Sequence, residues 1–154
     1  MAALPPHVVP VRVRLQHTDA LGVVYHGRWA DLCEDAHMEA FRAVGYTHAD
    51  MLAGGVASVA TRMAITYHAP VRLDDVLHVE VAVVEMTRVR FTVRYTARTA
   101  EDGRLAAVCD KTFAFVDTGA GRIVRVPQKL ASAVTGYLPM CRLGGNQTYM
   151  QEET

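Results

Sequence analysis

Val9, Val11, Val13 and Leu15 alternate with Pro10, Arg12 and Arg14. This two-residue period predicts a strand with one buried face. A turn-like stretch, His17 to Gly22, follows. From His26 to Val44 the period lengthens. Trp29, Leu32, Cys33, Ala36, Ala40 and Val44 recur at three- and four-residue steps, the apolar stripe of a long helix. Asp31, Asp35, Glu39 and Arg42 fall largely off that stripe, and Gly45 stands where a left-handed cap would stop the helix.

The rest of the chain reads as strands. Ala57, Val59, Thr61, Met63, Ile65 and Tyr67 share one parity, as do Leu77, Val79, Val81 and Val83. Val89, Phe91, Val93, Tyr95 and Ala97 lie opposite Arg88, Arg90, Arg94 and Arg98. Pro70 and Asp74-Asp75 separate the first two runs, and Glu101-Asp102-Gly103 is a hairpin signal. Leu105 to Val116 predicts a further strand, Ile123 to Val126 an extension, and Pro127 to Val134 a short closing helix. Short turns make antiparallel neighbours. One long helix against such a sheet is an α+β domain. One helix covers one sheet face, so a second copy is expected to cover what remains, giving a homo-oligomer.

Composition narrows the function. The 154 residues are 51% hydrophobic and 21% charged, the balance of one folded domain spanning 1–154 with a core at about 8–135. The tail from Leu143 is polar and is expected to be mobile. Sixteen basic residues balance sixteen acidic ones, which leaves no general surplus for nucleic acid. No apolar run is long enough to span a membrane. Cys33, Cys109 and Cys141 are too few and too far apart for a disulfide framework or a zinc site. Reduced thiols in the cytoplasm are the simpler expectation. The glycines of Gly119-Ala120-Gly121 lack the rest of a dinucleotide-binding pattern, and no nucleophile elbow or paired metal motif occurs.

The segment richest in chemistry is Thr18-Asp19-Ala20-Leu21-Gly22-Val23-Val24-Tyr25-His26, between the first strand and the helix. A carboxylate at Asp19 near a helix start has two readings. It caps a turn, or it acts as nucleophile or general base beside backbone N–H groups that steady an oxyanion. Glu34, Asp35 and Glu39 are further carboxylates on the helix, expected on its solvated or subunit-facing side.

This run resembles the signature of the hotdog-fold acyl-CoA thioesterases, the group of the 4-hydroxybenzoyl-CoA and Tol–Pal-associated thioesterases. Leu73-Asp74-Asp75-Val76-Leu77 and Gly121-Arg122-Ile123-Val124-Arg125-Val126-Pro127 are similar to two supporting family motifs. The resemblance implies an antiparallel sheet of five or six strands wrapped around the long helix, in dimers or tetramers. It places the catalytic carboxylate on Asp19, the oxyanion-binding amides around Tyr25 and His26, and a substrate- or water-orienting role on the His26 side chain. Gly22, Val24 and Trp29 would shape the substrate site, Ser58 and Thr61 would meet the pantetheine arm, and Arg88 and Arg90 the phosphates of coenzyme A. No metal or separate cofactor is implied, because coenzyme A is part of the substrate. His17 stands where the family often has an acidic residue. Gly27 and Arg28 stand where it often has an aromatic and Asn. The function implied is hydrolysis of a small aromatic or short-chain acyl-CoA. The alternatives are acyl-CoA binding without turnover and hydratase or dehydratase chemistry, for which Asp35–His37 is a poor pair.

Overall fold

A computed structural model describes residues 7–137 of the chain. The expected mobile tail and Cys141 lie outside the described residues. The order is β1 (His7–Arg12), α1 (Trp29–Ala43), α2 (His48–Ala53), β2 (Val56–Tyr67), β3 (Val76–Met86), β4 (Arg90–Thr99), β5 (Leu105–Asp117), β6 (Ile123–Val124) and α3 (Gln128–Tyr137). The strands form one antiparallel sheet in the order β1-β3-β4-β5-β2, with β6 paired to β5. The fold is α+β, with six strands and one long helix, as expected.

The alternating pattern is realised most fully in the middle of the sheet. Leu77, Val79, Val81 and Val83 of β3 and Phe91, Val93, Tyr95 and Ala97 of β4 are buried on the face that meets α1. Trp29, Leu32, Cys33, Ala36 and Ala40 of the helix stripe are buried against them, joined by His37 and Phe41. Burying each large side chain of this kind stabilises the fold by about 1.5–3 kcal/mol. On the opposite face Arg94 grips Asp110 with two bonds of 2.7 Å, the planar fork that guanidinium offers a carboxylate.

Three expectations are corrected. The first strand ends at Arg12, and Leu15 lies in a short 3₁₀ turn, 74% exposed. Residues 48–53, unassigned by periodicity, form α2, whose Thr47–Asp50 capping box supplies its start. The single parity expected over Ala57–Tyr67 breaks at a bulge between Ala60 and Arg62, and β2 is mostly exposed because it is a sheet edge paired only with β5. Asp74 (φ 68°) and Gly103 (φ 70°) take the left-handed backbone that their turns require.

Candidate active site

The segment 17–28 is a small hairpin leading into the helix. Thr18 bridges Val24, the Tyr25 N–H donates to the His17 carbonyl at 2.9 Å, and the Asp19 N–H donates to Val23 at 3.0 Å. The Gly22 N–H closes the tip on the Asp19 carbonyl at 2.9 Å, and Gly22 has φ 74°, a conformation open to a residue without Cβ. His17 is buried and accepts the Arg14 N–H on Nδ1 at 3.0 Å, so it fixes the hairpin's base. These contacts carry Asp19 back to the helix start.

Asp19 is half-buried and lines a cleft with Gln16, Thr18, Tyr25, Gly27 and Arg28. Its Oδ1 accepts the Leu21 N–H at 2.8 Å. That bond orients the carboxylate, and Oδ2 has no hydrogen-bond partner among the described residues. The helix begins with a 3₁₀ turn at His26–Arg28 that runs directly into α1. Of its first N–H groups, that of Arg28 reaches the Tyr25 carbonyl at 2.8 Å. Those of His26 and Gly27 have no partner among the described residues. Helix starts leave such donors unpaired, with partial positive charge. Tyr25, named with His26 as an amide donor from the resemblance, has its N–H committed to His17. The pair of open amides is therefore His26 and Gly27. Gly27 also makes room for the Tyr25 ring: a Cβ there would lie 2.8 Å from Tyr25 Cε1.

The other expected site residues divide. The Tyr25 side chain lines the cleft and is 44% exposed, and its ring stands 4.2 Å from that of His26. The His26 ring is exposed, and its carbonyl accepts the Tyr67 hydroxyl at 3.2 Å. Val24 and Trp29 are buried in the core and do not line the cleft. Thr61, on the edge strand, bonds to the Thr112 carbonyl, and Ser58 lines a different cavity. Arg88 and Arg90 sit at the β3–β4 turn, the end of the sheet opposite the Asp19 hairpin. That is about 30 Å away along β3 at a strand's rise per residue.

Beneath the sheet lies a buried cluster that periodicity did not single out. His37 Nδ1 meets the Tyr95 hydroxyl at 2.6 Å, and Lys111 Nζ meets Glu34 Oε2 at 2.5 Å. Glu34 therefore reaches Lys111 on β5 while its side chain stays 46% exposed, in keeping with the solvated side expected for it. Burial above all pushes the His37 pKa down to about 4, and burial raises that of Tyr95. Cys33 and Cys109 are buried free thiols. The bond to Cys109, with burial behind it, pushes the Cys33 pKa up, and the same bond pushes that of Cys109 down. The available signal was His37's position four residues after Cys33 and four before Phe41, a polar residue inside an apolar stripe.

The acyl-CoA thioester hydrolase YbgC of Escherichia coli is 39% identical over 87 residues, covering 55% of this chain; the chain spans 65% of that relative's length. The acyl-CoA thioesterase YbgC of Haemophilus influenzae is 33% identical over 125 residues, 80% of this chain and 90% of that protein. A 1,4-dihydroxy-2-naphthoyl-CoA thioesterase from Synechocystis superposes with a TM-score of 0.77 at 21% identity, covering 90% of this chain and 98% of its own, and so shares the fold. The sequence profile of the Thioesterase-like superfamily matches residues 13–134, and the chain belongs to that superfamily.

Proposed function

We propose that the protein hydrolyses acyl-CoA thioesters to the free acid and coenzyme A. The observation that carries this reading is the cleft itself, where a carboxylate held by the Leu21 N–H sits beside a helix start with two open amides. The thioester oxygen would lie on the His26 and Gly27 N–H groups, which stabilise the charge that forms on attack. Asp19 then serves in one of two ways. It takes a proton from the attacking water, or it attacks the carbonyl itself and forms an anhydride that water opens. In both, the C–S bond breaks, the sulfur leaves as thiolate and takes up a proton, and the carboxyl gains its second oxygen from water. The YbgC relatives, named as acyl-CoA thioester hydrolase and thioesterase, support the same reaction. The small cleft suits the carbonyl end of a small aromatic or short-chain acyl group. Coenzyme A enters as part of the substrate, with no separate cofactor.

The same reading includes assembly into a homo-oligomer, a dimer or a dimer of dimers. The edge strand β2 leaves one side of its backbone unpaired and exposes Val59 and Tyr67, a surface that folded proteins normally cover. Arg88 and Arg90 are too far from Asp19 to serve it within one chain, so their phosphate-binding role requires a neighbouring copy. Two buried free thiols accord with a reducing cytoplasm. No helix among the described residues is long and apolar enough to cross a membrane.

Thiol release from a panel of acyl-CoA thioesters, followed with a thiol-reactive dye, tests the proposal. Release from at least one member is expected. Tight acyl-CoA binding with no release would replace hydrolysis by a binding role.

A further inference from the structure

A second cavity opens between α1 and strands β2 and β5, lined by Glu34, His37, Phe41, Ser58, Lys111 and Phe113 among others. It lies on the helix face that begins at the cleft. Gly27, Ala30, Glu34 and Met38 fall at helical steps of three and four, and the last three are half-buried, flanked by the buried stripe. Strand β2 touches both ends of this face: Tyr67 bonds the His26 carbonyl at the helix start, Met63 pairs with Lys111, and Ser58 and Ala60 line the cavity. At 1.5 Å per helical residue, Glu34 and His37 lie about 10 and 15 Å beyond Gly27.

The cavity has an oriented donor at its wall. His37 is 8% exposed, its ring stacked on Phe41 at 4.2 Å and tilted against Phe113 at 5.1 Å. The Tyr95 hydroxyl is buried with His37 Nδ1 as its one hydrogen-bond partner among the described residues. A buried hydroxyl gives its proton to such a partner, so Nδ1 accepts and the ring proton sits on Nε2. Nε2 has no protein partner, yet no sealed, unpartnered side-chain nitrogen or oxygen exists among the described residues. Nε2–H is therefore open to the cavity that His37 lines. The Lys111 and Glu34 charges offset one another at 2.5 Å. Arg42, also in the lining, is paired with Glu39 outside it. The lining thus combines aromatic walls, cations each already paired with a carboxylate, and a fixed neutral donor.

We propose that this cavity receives the far end of the acyl group, and that His37 Nε2–H selects acyl chains carrying a neutral oxygen, a hydroxyl or carbonyl, about 10–15 Å from the thioester carbon. This rests on the thioesterase reading and extends it beyond the small groups that the cleft alone would hold. A carboxylate in the same place would need more positive charge than Lys111 and Arg42, each already paired with a glutamate, supply.

The test compares kcat/KM for decanoyl-CoA, ω-hydroxydecanoyl-CoA and ω-carboxydecanoyl-CoA in wild type, His37→Gln and His37→Leu. Wild type is expected to favour the hydroxylated chain over the other two by about five- to tenfold, the worth of one hydrogen bond. His37→Leu should abolish that preference, and His37→Gln, which keeps a donor near the same place, should retain part of it. Because Leu leaves the Tyr95 hydroxyl unpaired, a second measurement uses the wild-type protein. Side-chain imidazole NMR should show the His37 Nε2–H resonance moving with the non-hydrolysable ω-hydroxydecyl thioether of coenzyme A and not with the decyl thioether. Equal turnover of the three thioesters by an active wild type, or an unmoved resonance, overturns this inference and leaves the thioesterase reading standing. Thiol release from none of the three overturns this inference, and the thioesterase reading falls with it only if the small aromatic and short-chain thioesters also release no thiol.

Discussion

Acidification should strip stability from this protein through one buried ring. Burial holds His37 neutral with a pKa near 4, against an ordinary 6.5; the Lys111 and His48 charges act in the same direction, and Glu34 partly opposes them. In the unfolded chain the ring takes up its proton as the pH falls through 6.5, while the folded chain resists until about 4. The unfolded state therefore binds more protons across that window, and stability rises with pH there. The full contribution is present above pH 6.5 and is lost as the pH falls toward 4. Each pKa unit corresponds to 1.36 kcal/mol, so the whole effect is about 3 kcal/mol, and roughly 2 kcal/mol is gone between pH 7 and 4.5. For a domain of this size that is a fall of about 4–8 °C in Tm. Urea unfolding of wild type and His37→Gln at the two pH values isolates it, since the carboxylates titrate in both proteins. Wild type should lose about 2 kcal/mol more than the variant. Equal losses would refute the claim that the folded chain keeps this ring uncharged.

Gly27→Ala places a Cβ against the Tyr25 ring and should swing that exposed ring within the cleft. Its kcat/KM should fall about ten- to hundredfold with Tm unchanged or slightly raised, and full activity would remove Gly27 from the site. Tyr95→Phe deletes the His37 partner and should cost about 1–3 kcal/mol in denaturant unfolding; a neutral result would mean that the 2.6 Å contact carries no net stability. Sedimentation equilibrium should give a mass of at least twice the 16.9 kDa chain, and a monomer at micromolar concentration would contradict the reading of β2 as a covered edge.

Elements whose burial follows from local periodicity were legible from the residues alone. The α1 stripe and the alternations of β3 and β4 face one another across the core, so local pattern and tertiary packing agree. β2 was legible as a strand but not as an edge, because its neighbours are set by chain topology and its parity is broken by the Ala60/Arg62 bulge. α2 is too short for a helical period to declare itself, and only its Thr47–Asp50 box marks it. At the site, the Asp19 motif was visible as a run of residues. Which amides stay open was not, since that depends on the Tyr25–His17 backbone bond. The His37–Tyr95 contact joins residues 58 apart, and no local spacing announces it.

The proposed hydrolysis depends most on the Asp19 carboxylate acting at the helix start. Asp19→Asn keeps the size of the side chain and an oxygen able to accept the Leu21 N–H, while removing the negative charge. Steady-state thiol release by this variant, measured beside its Tm, is the most direct test. A fall in kcat of about a hundredfold or more, with Tm held within a few degrees, is expected. Undiminished turnover by a folded variant would contradict the account.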